Sequence, residues 1–204
     1  MFRSLPSYSD IFYLLDDLDD PKGRHRHFSH LWGMYPGKEI SIEKTPEFAK
    51  AVQKSLTIRG RGGTGFGMAW QICIWARCYK PEIAHEMFRN LVKQNTLPNL
   101  FSNCYRAIQV DGTFGGTAGI AEMLLQSHLG EIHLLPAIPK AWSEGSVKGL
   151  CTRGGFEVDM VWKDGKLAVA TIRSKLGNEC RVRHGNATVD LKTEAGRSYR
   201  LDAW

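Results

Sequence analysis

The hydrophobic period changes at Gly130, and this change limits the folds open to the chain. Before it, apolar residues recur at helical spacing, as in Phe48, Val52 and Leu56, or Ile83, Met87, Phe88 and Leu91 after Pro81. A 3.6-residue period gathers such residues on one buried face. After it the period is two. Phe156-Glu157-Val158-Asp159-Met160-Val161-Trp162 alternates, Lys163-Asp164-Gly165-Lys166 supplies a hairpin turn, and Leu167-Ala168-Val169-Ala170-Thr171-Ile172 returns as the partner strand. Glu131-Ile132-His133-Leu134-Leu135, Cys180-Arg181-Val182-Arg183 and Ala187-Thr188-Val189-Asp190-Leu191 add short strands. The chain is therefore expected to be mainly α with a β tail, a helical part over 1–130 and a small antiparallel β domain over 131–204.

Within the helical part, Ser9 is a candidate cap for a short helix through Ile11-Phe12-Tyr13-Leu14-Leu15. The acids Asp16, Asp17, Asp19 and Asp20 near its far end read as a solvated face, with cation binding as the alternative. Thr45-Pro46-Glu47 is a helix start, with an N-cap, proline at the first position and an acid in the first turn. Gly60, Gly62 and Gly63 end that helix. Residues 64–78 are apolar nearly all round, which predicts a helix enclosed on both sides, with Trp70 and Trp75 in the core. Such a helix suits the inner ring of a double-layered helical barrel. Residues 95–108 read as irregular, and a helix over 117–128, capped by Thr117, follows them.

Composition removes several function classes. No run of about 18 apolar residues exists, so no membrane span is expected. The start lacks the apolar region and cleavage site of a signal peptide, and the compartment stays open. The net charge is +6, but the basic residues form no stripe with interleaved aromatics, which argues against nucleic acid. Five cysteines without a CxxC pair suggest neither a disulfide framework nor a zinc site.

Two segments carry chemistry. Gln109-Val110-Asp111-Gly112-Thr113-Phe114-Gly115-Gly116-Thr117-Ala118-Gly119 holds one carboxylate among four glycines and runs into an apolar helix. Glycines permit a tight loop and close approach of a ligand, so Asp111 is a candidate catalytic or binding carboxylate. The alternative is a turn in which the aspartate caps its own backbone. Arg24-His25-Arg26-His27-Phe28-Ser29-His30-Leu31-Trp32 sets three imidazoles and two guanidiniums beside aromatic rings. His27 and His30 are spaced for a shared helix face and permit a metal pair, though no HExxH pattern accompanies them. Planar donors beside flat apolar rings also suit a sugar, or a buried polar network between two helices.

As a set, several motifs resemble glycoside hydrolase family 95. They are His25-Arg26-His27-Phe28-Ser29-His30-Leu31, Tyr35-Pro36-Gly37, Gly62-Gly63-Thr64-Gly65, Trp75-Ala76-Arg77, the Asp111 segment through Ser127, Ile132-His133-Leu134-Leu135-Pro136-Ala137 and Arg153-Gly154-Gly155-Phe156. Their order is that of the family's C-terminal part. The resemblance implies the C-terminal portion of an (α/α)6 barrel followed by a β domain. It also implies an inverting exo-glycosidase of the 1,2-α-L-fucosidase type, acting on α-L-fucosyl or α-L-galactosyl linkages without cofactor or metal. An inverting site sets an acid and a base roughly 6.5–9.5 Å apart around a water. Asp111 matches the base-side aspartate, while the family's general-acid glutamate precedes this region. His25, His27, His30, Trp32 and Thr113 fall at substrate-binding or pocket-shaping positions. Thr113 stands where the family has Asn, and Tyr13-Leu14-Leu15 replaces a Gln/Glu-and-Trp pattern. The implied partners are a glycan and the remaining half of the enzyme, as a separate chain or through a homo-oligomer. The other readings are a noncatalytic remnant or assembly partner, and a glycoside phosphorylase using Gly60-Arg61-Gly62-Gly63-Thr64-Gly65 as a phosphate cradle.

Overall fold

The computed structural model describes residues 27–105 and 107–202. Among the described residues, three α-helices, a two-stranded hairpin and a fourth α-helix are followed by eight further strands. The chain divides into two compact units between Gly119 and Ile120. The Ser9 to Asp20 segment and His25 lie outside the described residues.

In the first unit, α1 (Pro46–Arg59) begins behind Thr45, with Pro46 at the first position and Glu47 in the first turn. Its buried stripe is Ala49, Val52 and Leu56, and it stops at Gly60, whose φ of 79° closes the helix. Helix α2 (Gly65–Arg77) buries eleven of its thirteen residues, all except Phe66 and Trp70. That enclosure is what its nearly all-apolar sequence predicts, and each fully buried Met or Ile contributes about 1.5–3 kcal/mol. Helix α3 (Pro81–Asn95) packs against α2 and buries Ala84, Met87 and Leu91. A short hairpin, β1 (Asn103–Cys104) and β2 (Ala107–Ile108), leads into α4 (Val110–Leu124).

Helix α4 corrects three expectations. Asp111 lies in the first helical turn rather than on a loop before the helix. Thr117 is inside the helix, its hydroxyl bonded back to the Thr113 carbonyl at 3.2 Å, and caps nothing. The helix also ends at Leu124 rather than 128. The reason is packing. A Cβ on Gly115 would stand 2.8 Å from the Ala69 Cβ, one on Gly116 2.7 Å from Leu91, and one on Gly119 inside the Ile72 side chain. A Cβ on Gly112 would stand 2.7 Å from the Gly65 carbonyl carbon. Each glycine costs the helix about 1 kcal/mol relative to alanine. In exchange α4 lies backbone-close along α2 and against Leu91 of α3.

In the second unit, β5 (Gly145–Thr152), β6 (Phe156–Lys163), β7 (Lys166–Ser174) and β10 (Ser198–Asp202) form an antiparallel sheet in the order β10-β7-β6-β5. Asp164 and Gly165, both at positive φ, make the expected β6–β7 turn. The second sheet, β3-β4-β8-β9, is built from β3 (Leu125–Gln126), β4 (Ile132–Leu134), β8 (Cys180–His184) and β9 (Ala187–Leu191). Here β4 and β8 pair parallel, so the domain is mixed rather than purely antiparallel. The whole three-stranded excursion through β5, β6 and β7 separates them in sequence, ample for the crossover that parallel pairing needs. Phe156, Val158, Met160 and Trp162 on one face of β6 share a core with Leu167, Ala170 and Ile172 of β7 and with Ile132, Leu134, Cys180 and Val182 of the other sheet.

Candidate functional site

Asp111 is exposed at the N-terminus of α4, where the helix dipole favours a negative charge. Its Oδ1 accepts from the Gly112 N–H at 2.9 Å. This is the self-capping arrangement, and it leaves the carboxylate accessible on the helix end. Its neighbours are held by a compact set of hydrogen bonds. The Phe66 N–H of α2 donates to Gln109 Oε1 at 2.9 Å, the Gln109 N–H to the Ser102 carbonyl at 2.8 Å, and the Ser102 hydroxyl to the Gln109 carbonyl. Gly112, in close approach to Ser102, Gly65 and Phe66, completes the anchor. The starts of α2 and α4 are therefore seated on each other, with Asp111 beside them.

The same end of α2 carries an aromatic pair. Phe66 and Trp70, one turn apart and the only two α2 residues left half-open, have rings 5.3 Å apart. His27 is half-buried with its ring 6.4 Å from Phe66. Sequence reasoning assigned Trp70 to the core. The signal for its exposure is the i, i+4 pairing with Phe66 on the first turns of an otherwise buried helix.

The remaining expected residues separate. His30 Nε2 is 2.9 Å from Ser55 Oγ of α1, while the His27 ring lies by Phe66. Among the described residues, no three His, Cys, Asp or Glu side chains converge to hold a metal. Trp32 is 53% exposed over Gly37, where a Cβ would meet the ring at 2.9 Å. Buried Arg77 holds this loop, donating to the carbonyls of Met34 and Gly37 with its guanidinium 4.7 Å from the Tyr35 ring centre. Trp70 Nε1 donates to the Tyr35 carbonyl at 2.8 Å. Thr113 accepts from the Ser102 N–H at 2.8 Å, so its hydroxyl supports the loop before α4.

A cleft of about 550 Å³ opens beside this anchor, between Arg59, the glycines of 60–63, Thr64, Asn95, Asn103 and Tyr105. Arg59 Nη1 crosses to the His27 carbonyl at 3.0 Å, tying the cleft wall to the histidine segment. Burial lowers the pKa of Arg59 from its ordinary value.

Comparison with known proteins gives the family. The Glycosyl hydrolase family 95 catalytic domain matches residues 7–124, and the Glycoside hydrolase family 95 C-terminal domain matches 126–201. The chain belongs to glycoside hydrolase family 95. It is similar to Alpha-L-fucosidase 2 of Arabidopsis thaliana, 40% identical over 198 residues, which cover 92% of this chain and 24% of the relative. It is also similar to Probable alpha-fucosidase A of Aspergillus oryzae (31% identity, 85% of this chain and 27% of the relative) and of Aspergillus niger (31%, 72% and 21%). The chain spans about a quarter of the length of the curated relatives it matches.

Proposed function

We propose that this chain is the C-terminal portion of an inverting exo-glycosidase that removes terminal α-L-fucosyl, or α-L-galactosyl, units from glycans. Asp111 works on the base side, helping to activate the attacking water. His27, His30 and Trp32, with His25, bind or shape the sugar pocket, and Phe66 and Trp70 give it an apolar floor. The helices form part of an (α/α)6 barrel, and the β domain begins near residue 131. The remaining helices and the acid that protonates the leaving oxygen come from elsewhere in a longer polypeptide, from a separate chain or through a homo-oligomer. The observation that carries this reading is the tandem match of both family domains along a chain 31–40% identical to alpha-fucosidases but about a quarter of their length.

The test is hydrolysis of 2′-fucosyllactose. The 204-residue chain alone is expected to turn it over little or not at all. Supplying the upstream portion of the Arabidopsis relative should create turnover that Asp111→Asn abolishes. Turnover by the isolated chain that Asp111→Asn removes would overturn the division of labour.

The second reading is a noncatalytic assembly partner. It is favoured by the Thr113 hydroxyl, which is engaged by the Ser102 amide rather than presented to a ligand. Failure of every complemented mixture to release fucose would favour it.

A further inference from the structure

We propose that Asn186, at the tip of the β8–β9 hairpin, is an acceptor for an N-linked glycan, and that the glycan shields the open edge of β9.

The chain has six asparagines. Asn186 alone is followed two places on by a hydroxyl residue, Thr188, with Ala187 rather than proline between them. Asn-x-Ser/Thr is the pattern an oligosaccharyl transferase reads. Transfer takes place on the emerging chain, so the folded state must then leave a bulky, hydrated sugar room in solvent. The β domain does so. His184 pairs with Ala187, and Gly185 and Asn186 are the whole loop. Gly185 takes φ +58° while Asn186 stays out of the positive region, the arrangement of a II′ hairpin turn. Nothing lies within 4 Å of where a Cβ on Gly185 would stand. Asn186, Ala187 and Thr188 are all exposed. Among the described residues, neither the Asn186 carboxamide nor the Thr188 hydroxyl makes a hydrogen bond.

Asn178 supplies the contrast. Asn178-Glu179-Cys180 is the rarer, thiol form of the signal, at the start of β8. There the Asn178 Nδ2 donates to the Gly154 carbonyl at 3.0 Å and Cys180 is buried.

The transfer needs one donor from outside, an oligosaccharide carried on a polyprenyl diphosphate. Asn186 Nδ2 attacks its C1. The C1–N bond forms as the C1–O bond breaks, the amide gives up one proton, and the polyprenyl diphosphate leaves.

The position of β9 gives the glycan its role. This strand ends its sheet and pairs with β8 alone. An unpaired row of N–H and C=O groups is a template for another strand. Its sequence, Ala187-Thr188-Val189-Asp190-Leu191, carries a single charge, and Arg181 pairs with it at 2.7 Å. A sugar anchored where β9 begins covers by bulk an edge that charge guards weakly.

The experiment secretes the full chain from insect cells behind an added leader. A second arm translates it with microsomal membranes, which reads the transfer even where export fails. Trypsin releases the peptide His184–Lys192, which holds this one signal. Mass spectrometry reads it before and after peptide N-glycosidase. The peptide is expected to carry an N-glycan, and enzymatic release in heavy-oxygen water should label position 186. Asn186→Gln and Thr188→Ala should each abolish the modification, and Thr188→Ser should retain it. An unmodified peptide in both arms, or a glycan that survives Thr188→Ala, would overturn the site. Sedimentation then tests the shield. Asn186→Gln, checked for folding by far-UV circular dichroism, should associate at a several-fold lower concentration than the glycosylated chain, and equal association would overturn the shielding. No arm reads fucose release, so the hydrolase reading stands or falls by itself.

Discussion

Thr113 stabilises the chain from inside the first turns of α4. Its hydroxyl accepts from the amide of Ser102, a residue buried to 1% exposure. Removing the acceptor leaves a buried donor unpaired, a cost of about 1–3 kcal/mol. Thr113→Val is expected to lose that much in urea unfolding, and Thr113→Asn, which restores an acceptor, much less. The histidines teach the complementary lesson. Their spacing suggested a shared face, yet the 3-10 turn over Ser29–Leu31 sends His30 to Ser55 and leaves His27 near Phe66. Residue types were readable from sequence; their directions depended on a turn too short to carry a periodic signal. Buried Cys78 is likewise legible as a core thiol, and burial pushes its pKa up to about 12. Little of it is thiolate at neutral pH, so alkylation should be far slower there than at exposed Cys151.

Elements whose identity follows from local pattern were predictable: the proline-started helices, the enclosed α2, and the hairpin turning at Asp164 and Gly165. Helix α4 was not, because glycine reads as loop in isolation and only the neighbouring helix shows that these glycines are contacts. Gly119→Ala would push a methyl into Ile72, and overpacking of this kind costs about 1–3 kcal/mol. A fall in melting temperature is expected, where the same change at an exposed helical glycine would raise it. The parallel β4–β8 pair was hidden for another reason, since strand direction is set by what intervenes. Within the β5–β10 sheet, Arg173 of β7 bridges Glu157 and Asp159 of β6. Its hydrogen bonds, with Lys175, hold Glu157 below its ordinary pKa, while the Gly149 amide and then Arg173 do so for Asp159. Carboxylates depressed on folding stabilise above their unfolded pKa, and that contribution disappears as pH falls through the folded value. Stability of the β unit should therefore drop below about pH 4, and Arg173→Met should flatten that drop. Denaturant midpoints measured from pH 7 to 3 check it.

At the largest scale, one group of exposed apolar side chains among the described residues of the first unit is close together in sequence. Leu100, Phe101, Ile108, Val110 and Phe114 are all exposed near the start of α4. Large side chains clustered in this way mark an interface or an aggregation liability. Phe114→Glu with Ile108→Lys is expected to raise the concentration at which the chain stays monomeric in sedimentation. The same pair should weaken association with the upstream portion in the complementation assay. Family membership was legible because the motifs keep their order over nearly the full length. The half-open pair of Phe66 and Trp70 was not, since burial depends on which helices stand opposite.

The run of glycines along α4 has a consequence in the genetic code. Every point mutation that alters a glycine codon's meaning adds atoms, so no amino-acid change at these four positions spares the contact with α2 or α3. At these four positions the helix face therefore accepts a single residue type, and any replacement must part α4 from the neighbour it touches.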